Sequence, residues 1–559
     1  MAPRSYAVRP RRLGTRRRLP RGHEGVAQSG RTHLDTRDGD SRELAELGYV
    51  QRLERSLGSF AAFAISYGFV AVFTAVTALF FFGFAAAGPG FVWGYPLAAI
   101  PTVLICLCLA ELAGEIPLTG SLYQWTRALT RSRLLSWLTG WFFLAALLTV
   151  MPVIGPTLQE VLTPVFRGLQ LVGGSADIGT SATKGGALNA VILGVVGLGF
   201  TTIVNIFGVR WAARVAKAVV IIELIACCVI FVGFAFNIHR GPEVIFESQG
   251  TGAGYTTGYF GALLVALVAG AYLYFGFESA ATLAEEVRNP RVVAPKTVIR
   301  ALGLVILVAI LLATLALMAV PNIKAPELGT IGMPYVYQST LGKTVGDMLL
   351  LSVGIAVLGA ITALQATAGR VIFAMARNDR LPFSPSLSRV SPKWKTPITP
   401  LVVLGVGGCA LLFLNYGNTR IFSTIASVGI VLYYISYLFV VMPMLVARLR
   451  GQWPPARQGT YFSLGRWGFA VNLGAVVGTL ALIIDTAWPR GFVYGTDHWY
   501  LQWGSVTVTA LLLLVGLPYY AVVIRHRDDA PRLDHSAVVD STQAADETGL
   551  SPTPSAEGS

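Results

Sequence analysis

The sequence predicts an all-α polytopic membrane protein, and three properties of the whole chain support this fold class. Of its 559 residues, 54% are hydrophobic and 13% are charged, against about 25% charged residues in soluble domains. A soluble multidomain enzyme or a disordered chain of this length would carry far more charge. Twelve apolar runs are long enough to supply the roughly 17–25 residues that a membrane-spanning helix needs. Lipid is therefore expected to surround most of the protein surface.

The twelve runs are separated by polar connections and define the predicted domain boundaries. In chain order they are 59–87, 91–113, 134–156, 187–207, 212–237, 257–283, 297–320, 346–374, 398–415, 421–447, 468–488 and 499–524. Residues 59–524 are thus predicted to form the membrane domain. We expect residues 1–58 to be a polar tail that is disordered over 1–40, and residues 525–559 to be a second disordered tail.

The positive charges predict how the runs are oriented. The net charge is +14. If the chain begins inside, the loops after the even-numbered runs carry 19 Arg and Lys residues, counted with Arg214, Lys217 and Arg300 at the starts of the following runs, whereas the opposite loops carry seven. This bias predicts that both termini are cytoplasmic and accounts for the net charge, so no nucleic-acid partner is expected. The excess of Arg over Lys, 36 to seven, suggests a bacterial source.

Two runs contain signs of an interrupted helix, which marks transport sites in many carriers. In the sixth run, Gly276 and Glu278 lie together between two apolar halves. An unwound turn there would offer backbone donors and acceptors to a ligand cavity. In the first run the signal is weaker, because small and β-branched residues lie at mid-depth but Gly68 is the only glycine among residues 66–75.

The spacing of the two interrupted runs predicts an internal repeat. They are five helices apart, and since five is odd, a second copy of a five-helix unit must have the opposite topology. We therefore predict a 5+5 inverted repeat, with one copy over about 59–237 and the other over about 257–447. Two extra helices would follow within 468–524.

Three segments carry a resemblance to a known group of proteins. They are residues 110–125 (AELAGEIPLTGSLYQW), 276–290 (GFESAATLAEEVRNP) and 369–382 (GRVIFAMARNDRLP). The chain from about 44 to 524 resembles the amino acid–polyamine–organocation permease superfamily. Its start, residues 44–57, is similar to the amino acid/choline transporter branch, which includes permeases for GABA, choline and amino acids. The resemblance implies a leucine-transporter-type fold, with substrate held between broken helices 1 and 6.

The resemblance is incomplete at two places. The branch usually has a Pro and a Thr-Gly pair around the break of helix 1, where this chain has Val72, Thr74 and Ala75. Gly369 stands where a Ser is common, which removes one potential hydroxyl ligand.

By this resemblance, the substrate site includes residues of both broken helices. Val72, Phe73 and Thr74 are expected in the opened part of helix 1, where free N–H groups would face a substrate carboxylate. On helix 6 the expected residues are Tyr272, Phe275, Gly276, Phe277 and Glu278. Tyr272 matches the position of an aromatic gate, and ordinary helix packing is the alternative for each ring.

Two carboxylates stand out inside the spans. Glu278 is expected to pair with a substrate amine or to support the gate, since a lone intramembrane carboxylate is usually functional; a structural tie to another helix is the alternative. Glu223 is the only ionisable residue deep in the fifth run. A buried carboxyl can pick up and release a proton during a transport cycle, so we expect it to couple protons, and a purely structural role is the alternative.

Other polar residues have more peripheral expected roles. Thr362 and Thr367 on the eighth run would be the hydroxyls of a sodium site, although helical Thr more often bonds its own backbone. Charged residues at the predicted cytoplasmic ends are expected to form ion-pair locks or headgroup anchors. These are Glu111, Arg127, Glu285, Glu286, Arg370 and Arg377.

We predict a plasma-membrane permease that imports an amino acid or a related small amine such as GABA, by proton symport and alternating access. The alternatives are exchange of two amines, transport of choline or polyamines, and a sensor that binds a ligand without moving it. No enzymatic activity, cofactor or metal is expected, since all six histidines lie in tails or loops. The expected partners are the substrate and the bilayer, and the oligomeric state is left open.

Overall fold

The computed structural model describes residues 44, 47–414, 419–455, 461–491 and 499–527, with backbone alone for 419–426, 500 and 501. Within these ranges the chain is helical, and one isolated parallel bridge, Leu57 to Val287, is its sole strand-like pairing. The all-α fold class is therefore confirmed. The two tails that we predict to be disordered lie outside the described residues, apart from residues 525–527.

The α-helices are numbered here in chain order over the described residues. They are α1 (Ser59–Val70), α2 (Val72–Ala87), α3 (Gly94–Glu115), α4 (Ser121–Leu129), α5 (Arg133–Val150), α6 (Ile154–Leu162), α7 (Lys184–Ile206), α8 (Val209–Ala235), α9 (Tyr259–Leu273), α10 (Ser279–Thr282), α11 (Pro290–Ala319), α12 (Met333–Leu341), α13 (Lys343–Arg377), α14 (Ser384–Leu387), α15 (Ile398–Leu414), α16 (Thr419–Leu449), α17 (Gly468–Ala487), α18 (Trp499–Gln502) and α19 (Gly504–Tyr519).

Many of these helices are long and apolar enough to cross a membrane. Nine helical stretches qualify in the described part of the chain, and ten if Pro242–Gly254 and Tyr259–Leu273, which meet at 112°, are counted as one span. The helix α15 is apolar but shorter. The chain is therefore a multi-pass membrane protein, as predicted, while the number twelve stays a prediction.

One stretch, Ser59–Glu115, has 57 residues. At 1.5 Å per residue it would measure about 86 Å as a straight helix, against a hydrocarbon core of about 30 Å. It is interrupted twice, at Ala71 and by the 3-10 turn Gly88–Trp93. This stretch thus covers two of the predicted apolar runs.

The first interruption separates α1 from α2 at a single residue, and we call these two parts together helix 1. Ala71 has φ 46° and ψ 63°, the left-handed conformation, and its N–H still bonds to the carbonyl of Tyr67. An L-residue with a Cβ adopts this conformation at a cost of about 1–2 kcal/mol. The helix is therefore broken where the sequence carried only a weak signal, and at an alanine rather than a glycine.

The second broken helix lies at the predicted place, and we call its two parts, α9 and α10, together helix 6. The helix α9 ends at Leu273 and α10 begins at Ser279, so residues 274–278 are not helical. Gly276 has φ +84°, and a Cβ added to it would lie 2.0 Å from ring carbons of Phe69. Both the backbone conformation and the close approach of α1 therefore require glycine here.

The two broken helices pack against each other. The N–H of Ala280 in α10 donates to Oγ of Ser66 in α1 at 3.0 Å. Nearby, the N–H of Leu57 donates to the carbonyl of Glu286, and the N–H of Arg288 donates to the carbonyl of Leu57, both at 2.9 Å. Around this pair, α8 and α13 pack against α1, and α9 packs against α2 and α3.

Candidate functional site

The break of helix 1 is joined to α8 through a carboxylate. Phe73 is the second residue of α2, so its N–H is one of the first four that have no partner within the helix. Oε1 of Glu223 accepts a hydrogen bond from this N–H at 2.8 Å, and both residues are fully buried. A carboxylate is favourable there because a helix N-terminus carries partial positive charge. The resemblance predicts a substrate carboxylate at this N-terminus, whereas in this conformation the chain's own carboxylate occupies it.

Three buried polar atoms beside this hydrogen bond have no partner among the described residues. They are Oε2 of Glu223, Oγ1 of Thr74 and the hydroxyl of Tyr67. Buried polar groups in native proteins are nearly always hydrogen-bonded, so a cluster of unpaired ones is unusual. A polar ligand at the break would supply partners for them.

The break of helix 6 is joined to α16 through a second carboxylate. Oε1 of Glu278 accepts from the hydroxyl of Tyr433 at 2.8 Å, and Oε2 accepts from that of Tyr437 at 2.6 Å. The N–H of Gly276 donates to the Tyr437 hydroxyl at 3.2 Å. All four residues lie in the buried part of the bundle. In this conformation Glu278 is thus tied to two side chains of another helix.

Aromatic rings surround the helix 6 break and connect it to both neighbours. The Phe275 ring lies 4.9 Å from that of Tyr433 and packs edge-on against Phe69 of α1, with centroids 6.1 Å apart. The Phe277 ring lies 5.7 Å from that of Tyr437. These five rings form what we term the aromatic layer. Within it, the predicted residues of helix 6 contact both α1 and α16.

Tyr272 is the penultimate residue of α9, directly before the helix 6 break. Its hydroxyl donates to Oγ of Ser427 on α16 at 2.7 Å. The residue predicted to gate the site therefore bridges helix 6 and α16.

The two threonines of the predicted sodium site bond within their own helix. The hydroxyl of Thr362 donates to the carbonyl of Leu358 at 2.7 Å, and that of Thr367 donates to the carbonyl of Ala363 at 2.9 Å. Both lie on α13, which packs against α1 and α8. Both hydroxyls thus make the bond to the preceding turn that is common for a helical Thr, and the sodium site stays a prediction.

Buried ion pairs connect the segment after helix 6 to α13. Glu286 and Arg370 form a two-pronged pair with distances of 2.8 and 3.1 Å. Glu285 and Arg377 form a second one at 2.9 and 3.0 Å. Paired hydrogen bonds between a guanidinium and a carboxylate are strong and directional. The predicted ion pairs are thus present at this end of the bundle, and their role as locks stays a prediction.

A further buried pair lies at the end of α3. Glu111 pairs with Arg448 of α16 and also accepts from Nε1 of Trp453 at 3.1 Å and from the N–H of Leu464 at 3.0 Å. This carboxylate therefore joins α3, α16 and the segment before α17. Arg127, from the same predicted group, donates to the hydroxyl of Tyr49.

Sequence reasoning missed several residues of this site. Ala71 carried no signal, since alanine favours a continuous helix. Tyr433 and Tyr437 were detectable in principle, because two tyrosines at i and i+4 share one face of a helix, and buried hydroxyls need partners. Only their pairing with Glu278 required the structure.

Comparisons with known proteins find a matching family and several relatives of this chain. The sequence profile of the family described as amino acid permease matches residues 57–512. The chain is 23% identical to the amino-acid permease BAT1 of Arabidopsis thaliana over 511 residues, 88% of this chain and 95% of that protein. It is 28% identical to the branched-chain amino acid permease BcaP of Lactococcus lactis over 309 residues, 53% of this chain and 63% of that one.

A third relative has a different named substrate. The methylthioribose transporter of Bacillus subtilis is 25% identical over 364 residues, 62% of this chain and 74% of that protein. The relatives include plant and bacterial proteins, so the comparisons do not support the prediction of a bacterial source.

Proposed function

Because the chain belongs to the amino acid permease family, we propose that it imports an amino acid or a related small amine by proton symport. This family lies within the amino acid–polyamine–organocation superfamily, whose members are transporters rather than enzymes. The observation that carries the proposal is the hydrogen bond between Glu223 and the N–H of Phe73 at the helix 1 break. It joins a group that can bind a proton to a backbone group that can bind a substrate.

The proposed fold is a twelve-helix, leucine-transporter-type inverted repeat. Its support is the count of nine or ten spanning stretches, with Ser59–Glu115 covering two predicted runs and α15 being a shorter apolar helix. The positions of the breaks, after Val70 and after Leu273, also support it. We place both termini in the cytoplasm of a plasma membrane, on the basis of the bias in positive charge.

The proposed substrate site lies between the two breaks. Val72, Phe73 and Thr74 would receive the carboxylate end of an amino acid, because α2 begins there and its first N–H groups point out of the helix. Tyr272 and the residues of helix 6 from Phe275 to Glu278 would surround the amine and side chain. The aromatic layer would exclude water and attract an ammonium group through the ring faces.

Coupling follows from competition for the N–H of Phe73. An ionised Glu223 accepts a charge-assisted hydrogen bond, which is about twice as strong as the bond to a neutral carboxyl. Protonation would therefore loosen Glu223 from this N–H and make it available to a substrate carboxylate. Proton and substrate would then bind together, and their joint release would follow opening of the opposite side.

Movement between states requires that the locks open. The ion pairs of Glu285 and Glu286 close the end of the bundle that we assign to the cytoplasm, and Glu278 holds helix 6 against α16. We propose that substrate release breaks both sets of contacts as helix 6 moves away from α13 and α16.

Uptake into proteoliposomes tests the function directly. The purified chain would be supplied with amino acids, GABA, choline and polyamines under an imposed inward proton gradient, sodium gradient or neither. We expect an amino acid to accumulate only with the proton gradient, and to be lost on adding a protonophore. Uptake that requires internal substrate would instead identify an exchanger. Binding without uptake would identify a sensor, and either result would overturn symport.

A further inference from the structure

A cavity of about 380 Å³ lies at the end of the bundle where α8 begins, away from the two breaks. One wall is the start of α1 with the residues before it, and the opposite wall is the first turns of α8. Arg288, next to the Leu57–Val287 bridge, also lines it. The lining residues that the argument uses are Leu57, Phe60, Ala61, Arg214, Lys217 and Arg288.

The cavity carries a concentration of positive charge. Arg210, Arg214 and Lys217 are spaced i, i+4 and i+7, so they share one face of α8. Arg210 pairs with Glu54. Over the described ranges, no carboxylate lies within ion-pair distance of Arg214, Lys217 or Arg288. Like charges three and four residues apart destabilise a helix, unless an anion neutralises them.

The position of the cavity favours an amphiphilic anion. The helix α8 is a spanning stretch, so its first turns lie at the edge of the bilayer, at the depth of lipid phosphates. The other wall is apolar, with Leu57, Ala61 and the Phe60 ring, which is 50% exposed. Trp211, on the same turns of α8, stacks with the Arg214 guanidinium at 4.8 Å. Basic pockets of this kind between spanning helices suit an anionic lipid head group.

We propose that this cavity binds the phosphate of an anionic membrane phospholipid, through Arg214, Lys217 and Arg288. The acyl chains would lie along the apolar wall formed by Phe60 and Ala61. This site is independent of the proposed substrate and coupling ion, and goes beyond them.

A bound phosphate would also affect the transport cycle. The segment around Leu57 is bonded to Glu286 and Arg288 on either side. A phosphate held jointly by Arg288 and α8 would therefore fasten the start of helix 1 to α8. It would stabilise the conformation in which the Glu286–Arg370 pair is closed.

Thermal stability of the full chain in lipid nanodiscs tests the site. Wild-type protein is compared in nanodiscs of phosphatidylcholine alone and in nanodiscs that also contain about 30% phosphatidylglycerol. We expect the anionic lipid to raise the melting temperature of the wild type, and this gain to disappear in Arg214→Gln/Lys217→Gln. Arg288→Gln provides a second variant should the double one fold poorly. The matched control Lys395→Gln/Arg450→Gln removes two exposed positive charges elsewhere and should keep the full gain.

A binding measurement separates the sources of the phosphate. Native mass spectrometry should show that the double variant binds phosphatidylglycerol about 25-fold more weakly than wild type, since each basic residue contributes about fivefold near the surface. Inorganic phosphate added to wild-type protein in phosphatidylcholine should give no comparable stabilisation. If it stabilises equally, the cavity binds free phosphate and the lipid assignment is wrong. Equal gains in the double variant and the control would likewise overturn the site.

Discussion

Oε1 of Glu223 lies 2.8 Å from the backbone nitrogen of Phe73, although the two residues are 150 positions apart in the chain. The bond fills one of the free donors at the start of α2 with a carboxylate from the middle of α8. An interrupted helix needs such partners, because its free N–H groups cannot bond to lipid. The same bond places a titratable group where a substrate carboxylate would bind.

Replacing Glu223 by Gln should separate coupling from binding. The amide oxygen can still accept from Phe73, so the fold should be retained, but the side chain can no longer exchange a proton. We expect proton-driven accumulation to fall at least about tenfold, while counterflow between equal pools persists. Glu243→Gln, at an exposed carboxylate between α8 and α9, is the matched control and should behave as wild type. Normal concentrative uptake by Glu223→Gln, with normal pH dependence, would contradict the coupling role.

Removing the hydroxyl of Tyr437 should weaken the tie between helix 6 and α16. Tyr437→Phe leaves Oε2 of Glu278 buried without its donor, and we expect a loss of about 1–3 kcal/mol in unfolding free energy. Tyr434→Phe is the matched control, since that hydroxyl donates to the carbonyl of Ala271 at 3.1 Å rather than to a carboxylate, and should cost about 1 kcal/mol.

A double-mutant cycle gives the coupling between the two partners. If Glu278→Gln and Tyr437→Phe act through one contact, the double variant should lose less than the two single losses added together. Strict additivity, measured by chemical unfolding in detergent, would show that the contact contributes nothing.

Adding a methyl group at Gly276 should abolish transport. Its φ of +84° disfavours any Cβ, and the new atom would overlap the Phe69 ring. The helix 6 break and α1 would have to move apart, so uptake should fall below detection even where protein still reaches the membrane. Gly303→Ala in α11 is the matched control, because no heavy atom lies within 4 Å of its added Cβ. That variant should retain wild-type uptake, and an active Gly276→Ala variant would show that the close packing is dispensable.

Breaking the pair between Glu286 and Arg370 should cause a large loss of unfolding free energy, because both side chains are buried. Arg370 and Glu286 are 1% and 0% exposed, so Glu286→Gln leaves a buried guanidinium uncompensated, at about 3–5 kcal/mol. Replacing both by Leu and Met should recover most of that stability. The exposed pair Lys343–Asp347 is the control, where Lys343→Ala should cost about 1 kcal/mol at most. Equal losses at both pairs in thermal unfolding would contradict a buried lock.

Several features of the protein could be read from its sequence alone. Hydropathy and run length are local properties of the chain. The all-α membrane class and the positions of most spans therefore followed from the pattern of apolar residues. The break at Gly276 was also visible, because a glycine close to a carboxylate inside an apolar run favours an interrupted helix. Glu223 and Glu278 stood out for a similar reason, as carboxylates in spans almost without charge.

The tertiary structure alone decided which groups meet. The break at Ala71, the pairing of Glu223 with Phe73 and that of Glu278 with Tyr433 and Tyr437 depend on how the helices are rotated and placed. In a soluble protein, the polar face of each helix would indicate that rotation. In a membrane, residues that face lipid and residues that face the core are equally apolar. The sequence therefore does not indicate which face of a helix is buried.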